Sequence, residues 1–220
     1  MNSSINKNGE LAKNELSESD KKKLIDIFFY LQDARIEISS CYSLIIMSKL
    51  FLEMKEYKEY IEKTGKLVIL YPTEDKPLAF TAVVRVALHN LIINIFKISE
   101  LIEKNQRILK KTPNTNLKLN KFRSKYFTDD LKKYRNKYVA HHFDKKEGEL
   151  VPLQQLKSYL ANILSLKDFD SEIEISKIID YVKNFYTPCE NLNRNNITGI
   201  IQQFAQEIEN LGIQLNRNVK

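Results

Sequence analysis

Residues 24–45 read LIDIFFYLQDARIEISSCYSLI, and the spacing within them decides the fold. Leu24, Ile27, Phe28, Leu31, Ala34, Ile38, Cys41 and Ile45 recur three or four residues apart, which lines them along one side of an α-helix. A strand would instead repeat every second residue. Ser17 or Ser19 can cap the start, and the pattern predicts a helix running to about Lys63, with Gly65 beyond it. A second stripe, Phe80, Val83, Val84, Ala87, Leu88, Leu91, Ile95, Ile98, Leu101 and Ile102, repeats at close to 3.5 residues. Two such stripes bury each other most simply when their helices lie side by side and antiparallel.

Outward from this pair, residues 1–16 are polar and without period, so a disordered tail is expected there, followed by a single domain over 17–220. Leu67–Tyr71 is a short apolar run with no second strand to pair with, hence a packed connection, and Pro72 and Pro77 bracket a turn. Three shorter helices close the chain. Leu153, Leu156, Leu160, Ile163 and Leu164 follow Pro152; Ile175, Ile178, Val182 and Phe185 follow a Ser171/Glu174 capping box; and Ile197, Ile201, Phe204, Ile208 and Leu211 end at Gly212. The expected fold class is all-α, a helical bundle with two long antiparallel helices and shorter C-terminal ones.

Composition agrees with that class. Five glycines and five prolines in 220 residues are too few for a many-turned β-sandwich. The net charge of +7 favours an anionic partner, and composition alone leaves RNA, DNA and an acidic surface open. Cys41 and Cys189 stand apart with no metal-ligand spacing, so a reduced, cytoplasmic chain is expected, with no metal and no cofactor. The most apolar run, Tyr42–Leu52, is too short for a bilayer and carries Lys49, and the polar start offers no signal peptide.

Charge is concentrated ahead of the last distinctive stretch. Glu103–Lys125 holds Lys104, Arg107, Lys110, Lys111, Lys118, Lys121, Arg123 and Lys125 against one acid. Such a segment is either a solvated basic loop or a surface that tracks phosphates. It leads into Leu131–Asp144, LKKYRNKYVAHHFD, which has two of the three histidines. Thr128 fits an N-cap, Asp129 and Asp130 suit the first turn, and Gly148 lies past the far end, so a helix of about four turns is expected.

The residue types in this stretch suit cleavage of RNA by its own 2′-hydroxyl. That reaction needs a base, an acid and positive charge on the phosphate. Imidazole titrates in the right range, and arginine grips phosphate oxygens through two parallel donors where lysine cannot. Arg135, together with His141 or His142, supplies these residue types. Asn136 is placed to orient the histidine or the phosphate, and His142, Asp144 and Lys137 to support them. Lys110, Lys111, Lys118, Lys121, Arg123, Lys125, Lys132 and Lys133 are the candidate RNA-binding cations. A structural account competes: adjacent histidines near a helix C-terminus also favour the dipole, and Lys132, Lys133 and Lys137 also make an ordinary solvated face. Tyr134 and Tyr138 read as core, while Arg85, His89 and Asn94, polar positions in an apolar helix, read as satisfied core or interface groups.

Arg135-Asn136-Lys137-Tyr138-Val139-Ala140-His141 resembles the signature of the HEPN superfamily, in the form carried by abortive-infection proteins of the AbiU kind. The resemblance covers most of residues 20–165. It implies a homodimer in which two motifs face each other and cut RNA without a metal, as a toxin or antiphage effector. A non-catalytic HEPN module that binds RNA or a partner protein is the other reading it allows. An ideal helical wheel puts His142, seven residues on, on the Arg135 side and His141 about 120° away. The family pattern selects His141, directly after the small residue Ala140, and leaves His142 open. One histidine cannot readily be base and acid at once, so either two copies of His141 meet or His141 and His142 share the work. Relatives controlled by adenylylation carry a tyrosine two residues after the histidine. Phe143 stands there with no hydroxyl to modify, which disfavours adenylylation at this position and leaves open an antitoxin acting at another residue or another regulatory protein.

Overall fold

A computed structural model describes residues 16–52, 79–139, 153–165, 175–186 and 196–215. The tail through residue 15, the continuation toward Lys63, the Leu67–Tyr71 connection, the Pro72–Pro77 turn and the Ser171/Glu174 capping box lie outside them. So do Cys189, His141, His142, Phe143, Asp144 and Gly148.

Helix α1 spans Glu18–Leu52. The Ser17 hydroxyl accepts from the Asp20 backbone N–H at 3.1 Å, and Glu18 and Asp20 complement the positive end of the dipole. Every residue of the first stripe, Leu24 through Ile45, is buried. Helix α2 spans Ala79–Lys104 and runs antiparallel to α1, with which it packs. Lys97 pairs with Glu37 at 3.5 Å, while farther along the chain Arg107 reaches back to Asp20 at 3.2 Å.

The second stripe is buried from Val84 onward except for the half-buried Leu101, while Val83 is 37% exposed and Ile92, off the predicted stripe, is fully buried. The reason is that α2 has neighbours on more than one side, so a single stripe understates what it hides. Asn94 and Ser99 are buried on the same helix. They turn a donor back on the carbonyls of Asn90 and Ile95, at 2.9 Å each, although Asn94 Oδ1 finds no partner among the described residues.

The basic segment is helical, where a loop was one of the two expectations. A short α3, Gln106–Leu109, leads to α4, Pro113–Tyr126, with proline in the first turn where its missing N–H costs nothing. The N-terminus of α4 is capped from across the fold. Glu207 accepts from the Asn114 and Thr115 N–H groups at 3.0 and 2.8 Å, a carboxylate on the positive end of the dipole. Thr115, Leu119, Phe122 and Tyr126 face inward, which leaves Lys118, Lys121 and Lys125 along another side.

The motif helix α5, Asp129–Tyr134, follows. Then come α6 (Leu153–Ile163), α7 (Ile175–Lys183) and α8 (Ile197–Asn210). Helix α6 packs on α5, α7 on α1, and α8 on both α1 and α4. The end of α8 is a Schellman motif. Gly212 takes φ of 75°, its N–H bonds Glu209 O at 2.8 Å, and Ile213 N–H bonds Ile208 O at 3.2 Å. Ile213 is therefore the residue tucked inward, while Leu211, expected in the stripe, is 37% exposed. No strand occurs among the described residues, and none of their helices is long and apolar enough to cross a membrane.

Candidate functional site

Local sequence builds the start of the motif helix as expected. The Thr128 side chain accepts from Leu131 N–H at 3.2 Å, Asp129 and Asp130 occupy the first turn, and Leu131 and Tyr134 are fully buried. Lys132 donates to Asp129 at 2.9 Å. That hydrogen bond, with the lysine's charge, holds the Asp129 carboxyl below its ordinary value.

Beyond Tyr134 the helix departs from expectation. Arg135–Val139 form a π turn, with each bond reaching one residue farther than in an α-helix. Neighbouring positions on an α-helix diverge by about 100°. Here Tyr134 and Arg135 both reach α2, and at positions seven residues apart on one side of it. The Tyr134 hydroxyl lies 3.0 Å from His89 Nε2, and the Arg135 guanidinium carbon sits 4.4 Å over the ring of Phe96. The wheel that separated His141 from His142 assumed regular α-geometry from Arg135 onward, so it no longer discriminates between them. Both histidines and Asp144 lie outside the described residues.

Arg135 is half-buried, and its Nη1 donates to Asn136 Oδ1 at 2.9 Å. Asn136 thus bonds the arginine, while the histidines it is expected to orient lie outside the described residues. Stacking over Phe96 limits the guanidinium's motion, while donors in its plane stay available to an anion. His89 is satisfied by Tyr134, as expected of a polar position in this helix, and Tyr134 is core.

The predicted cations divide into groups. Lys110 and Lys111 are exposed at the corner between α3 and α4, and Lys118, Lys121 and Lys125 run along α4. Lys133 is over Tyr159 of α6 at 5.7 Å, and Lys137 is half-buried in the π turn. Arg123 and Lys132 converge on Phe127, with Arg123 Cζ 5.6 Å and Lys132 Nζ 4.8 Å from the ring centre. Phe127 in turn meets Phe96 edge to face at 5.2 Å, which joins these two cations to Arg135 through a pair of aromatic rings. Sequence reasoning passed over Phe96 and Phe127. Phe96 carried a signal, since it lies off the apolar stripe and seven residues after His89.

Cys41 is a spectator. Burial, with Glu37 adding to it, pushes its thiol up to about 11, so it stays protonated and unreactive near neutral pH.

No curated protein and no solved structure proved similar to the chain. One family model does match, that of the HEPN-like integron domain, over residues 20–164. The match runs from the first turn of α1 through the π turn to the end of α6, which is the part of the fold that carries and frames Arg135. All-helical architecture, motif and matched span agree: this chain belongs to the HEPN-like integron domain family.

Proposed function

We propose that the protein is a HEPN-type endoribonuclease that works as a homodimer without a metal, and that it acts as a toxin or antiphage effector. The observation that supports this most directly is Arg135, stacked on Phe96 and tied to Asn136 at the first position of a π turn, a feature frequent at functional sites.

In this reading His141 takes the proton of the ribose 2′-hydroxyl as that oxygen attacks phosphorus. The bond to the 5′-oxygen breaks, and the partner's His141 returns a proton to it. The products are a 2′,3′-cyclic phosphate and a free 5′-hydroxyl. Arg135 binds the non-bridging oxygens as charge builds on them, and donors set in place beforehand act most strongly there. DNA has no 2′-hydroxyl, so it is bound at most. One imidazole must be neutral and the other protonated, so the rate falls on both the acid and the alkaline side of its maximum.

Purified protein incubated with total RNA in chelator tests the reading beside Arg135→Ala and His141→Ala. Both substitutions are expected to cut the rate by roughly 100-fold or more. Undiminished cleavage in both would place the chemistry elsewhere. RNA bound but never cut, with the dimer intact, would select a non-catalytic HEPN module.

A further inference from the structure

We propose that Phe96 and Phe127, with Arg123, Lys132 and Arg135 around them, form a binding shelf for the backbone of single-stranded RNA beside the linkage to be cut. This rests on the reading above only in taking RNA as the ligand.

The five residues come from separate parts of the chain. Phe96 lies on α2, Arg123 on α4, Phe127 between α4 and α5, Lys132 on α5, and Arg135 opens the π turn. They are linked ring to ring and cation to ring. Arg135 is over Phe96 at 4.4 Å, Phe96 meets Phe127 at 5.2 Å, and Lys132 and Arg123 approach Phe127 at 4.8 and 5.6 Å. Both rings are only half-buried. Three cations held close together repel one another, and the electron-rich faces of the rings offset part of that cost.

Charge on the shelf is uneven. Arg123 donates to Glu103 at 2.7 Å and Lys132 to Asp129 at 2.9 Å, so each already has a carboxylate. The hydrogen-bond partner of Arg135 is the neutral amide of Asn136, and no carboxylate among the described residues pairs with it. Among the described residues, positive charge is thus least compensated at Arg135 and more so at Lys132 and Arg123. A phosphodiester chain fits this arrangement, with one phosphate at Arg135 and its neighbour toward Phe127. Half-exposed aromatic rings favour a single strand, whose unstacked bases need a flat apolar surface; a duplex keeps its bases to itself.

The test uses an RNA of about a dozen nucleotides, methylated at every 2′-oxygen so that it cannot be cut, titrated by fluorescence anisotropy at several salt concentrations. A duplex of the same sequence and polyglutamate are the comparison ligands. Lys132→Gln should flatten the salt dependence by about 0.7 in log-log slope, the loss of one phosphate contact on a single strand. Phe127→Leu should weaken binding about three-fold. Lys23→Gln, an exposed lysine near the start of α1, removes the same charge and should change little. Should Phe127→Leu lose its helical circular dichroism, Lys132→Gln decides alone. Shelf variants that bind like Lys23→Gln overturn the proposal, and so does equal affinity for the duplex or preference for polyglutamate. Because the probe is uncleavable, weakened binding in the shelf variants stands even if no RNA is ever cut, and cleavage by Arg135 and His141 stands even if the shelf fails.

Discussion

Helix α2 touches the rest of the chain in two unlike ways. Toward the bundle interior it offers Val84, Ala87, Leu88, Leu91, Ile95, Ile98 and Ile102, all buried, and the polar residues among them bond back to their own helix. Toward the motif it offers His89 and Phe96, which meet Tyr134 and Arg135 in named pairs at 3.0 and 4.4 Å. The first contact is non-directional, and any well-fitting hydrocarbon serves it. The second depends on particular donors, acceptors and ring faces, and it sits where the helix opposite passes from α to π geometry. Non-directional packing and geometry-dependent contacts thus divide between two sides of one helix.

The interior side can be broken with one residue. Leu91 is fully buried, and Leu91→Ala is expected to cost about 2–5 kcal/mol by urea denaturation, from lost transfer energy and the cavity left behind. A loss below about 1 kcal/mol would mean that this side is loosely packed, and the contrast with the motif side would go.

That division also explains how much the sequence disclosed. Burial of the stripe from Leu24 to Ile45 along α1 was legible, because hydrophobic spacing reports non-directional packing directly, whereas the buried Ser48 carried no such signal. The Thr128 cap and the Gly212 cap were legible too, since each depends on chemistry within a few residues. Ile92 was missed because its helix packs against more than one neighbour, and a single stripe does not announce the additional buried position. The helical state of Pro113–Tyr126 was obscured by its lysines, which read as solvated loop until Glu207, 92 residues beyond Thr115, is seen capping the first turn. The Phe96–Phe127 pair was illegible because it joins residues distant in sequence, and the π turn over Arg135–Val139 had no signal in the hydrophobic spacing. At the candidate site, residue types were readable and their arrangement was not.

The motif side yields a smaller, more local effect. Tyr134→Phe removes one buried hydroxyl and keeps the ring, so a stability loss of about 1 kcal/mol is expected. Combined with His89→Leu in a double-mutant cycle, the pair should show a coupling of at least about 0.5 kcal/mol. Additive losses would mean that the 3.0 Å contact does nothing, and the motif side would then be ordinary packing like the other.

The smallest expected effect tests whether the motif helix is tuned by charge. Asp129 is fully exposed, and Lys132, through its hydrogen bond and then its charge, lowers the carboxyl from its ordinary 3.8. A depressed folded value means the folded state favours the ionised form. The contribution is complete above the unfolded value and is lost as pH falls through the folded one. Acid titration of stability should therefore show a slight extra loss below about pH 4, and Asp129→Asn should remove it. The same substitution releases Lys132 from its carboxylate beside the Phe127 ring, so the uncleavable RNA should bind slightly tighter at low salt and by the same amount as wild type at high salt. Weaker binding in Asp129→Asn would mean that the acid holds Lys132 in its productive position. The pair would then belong with the geometry-dependent contacts of the motif side rather than with its electrostatics.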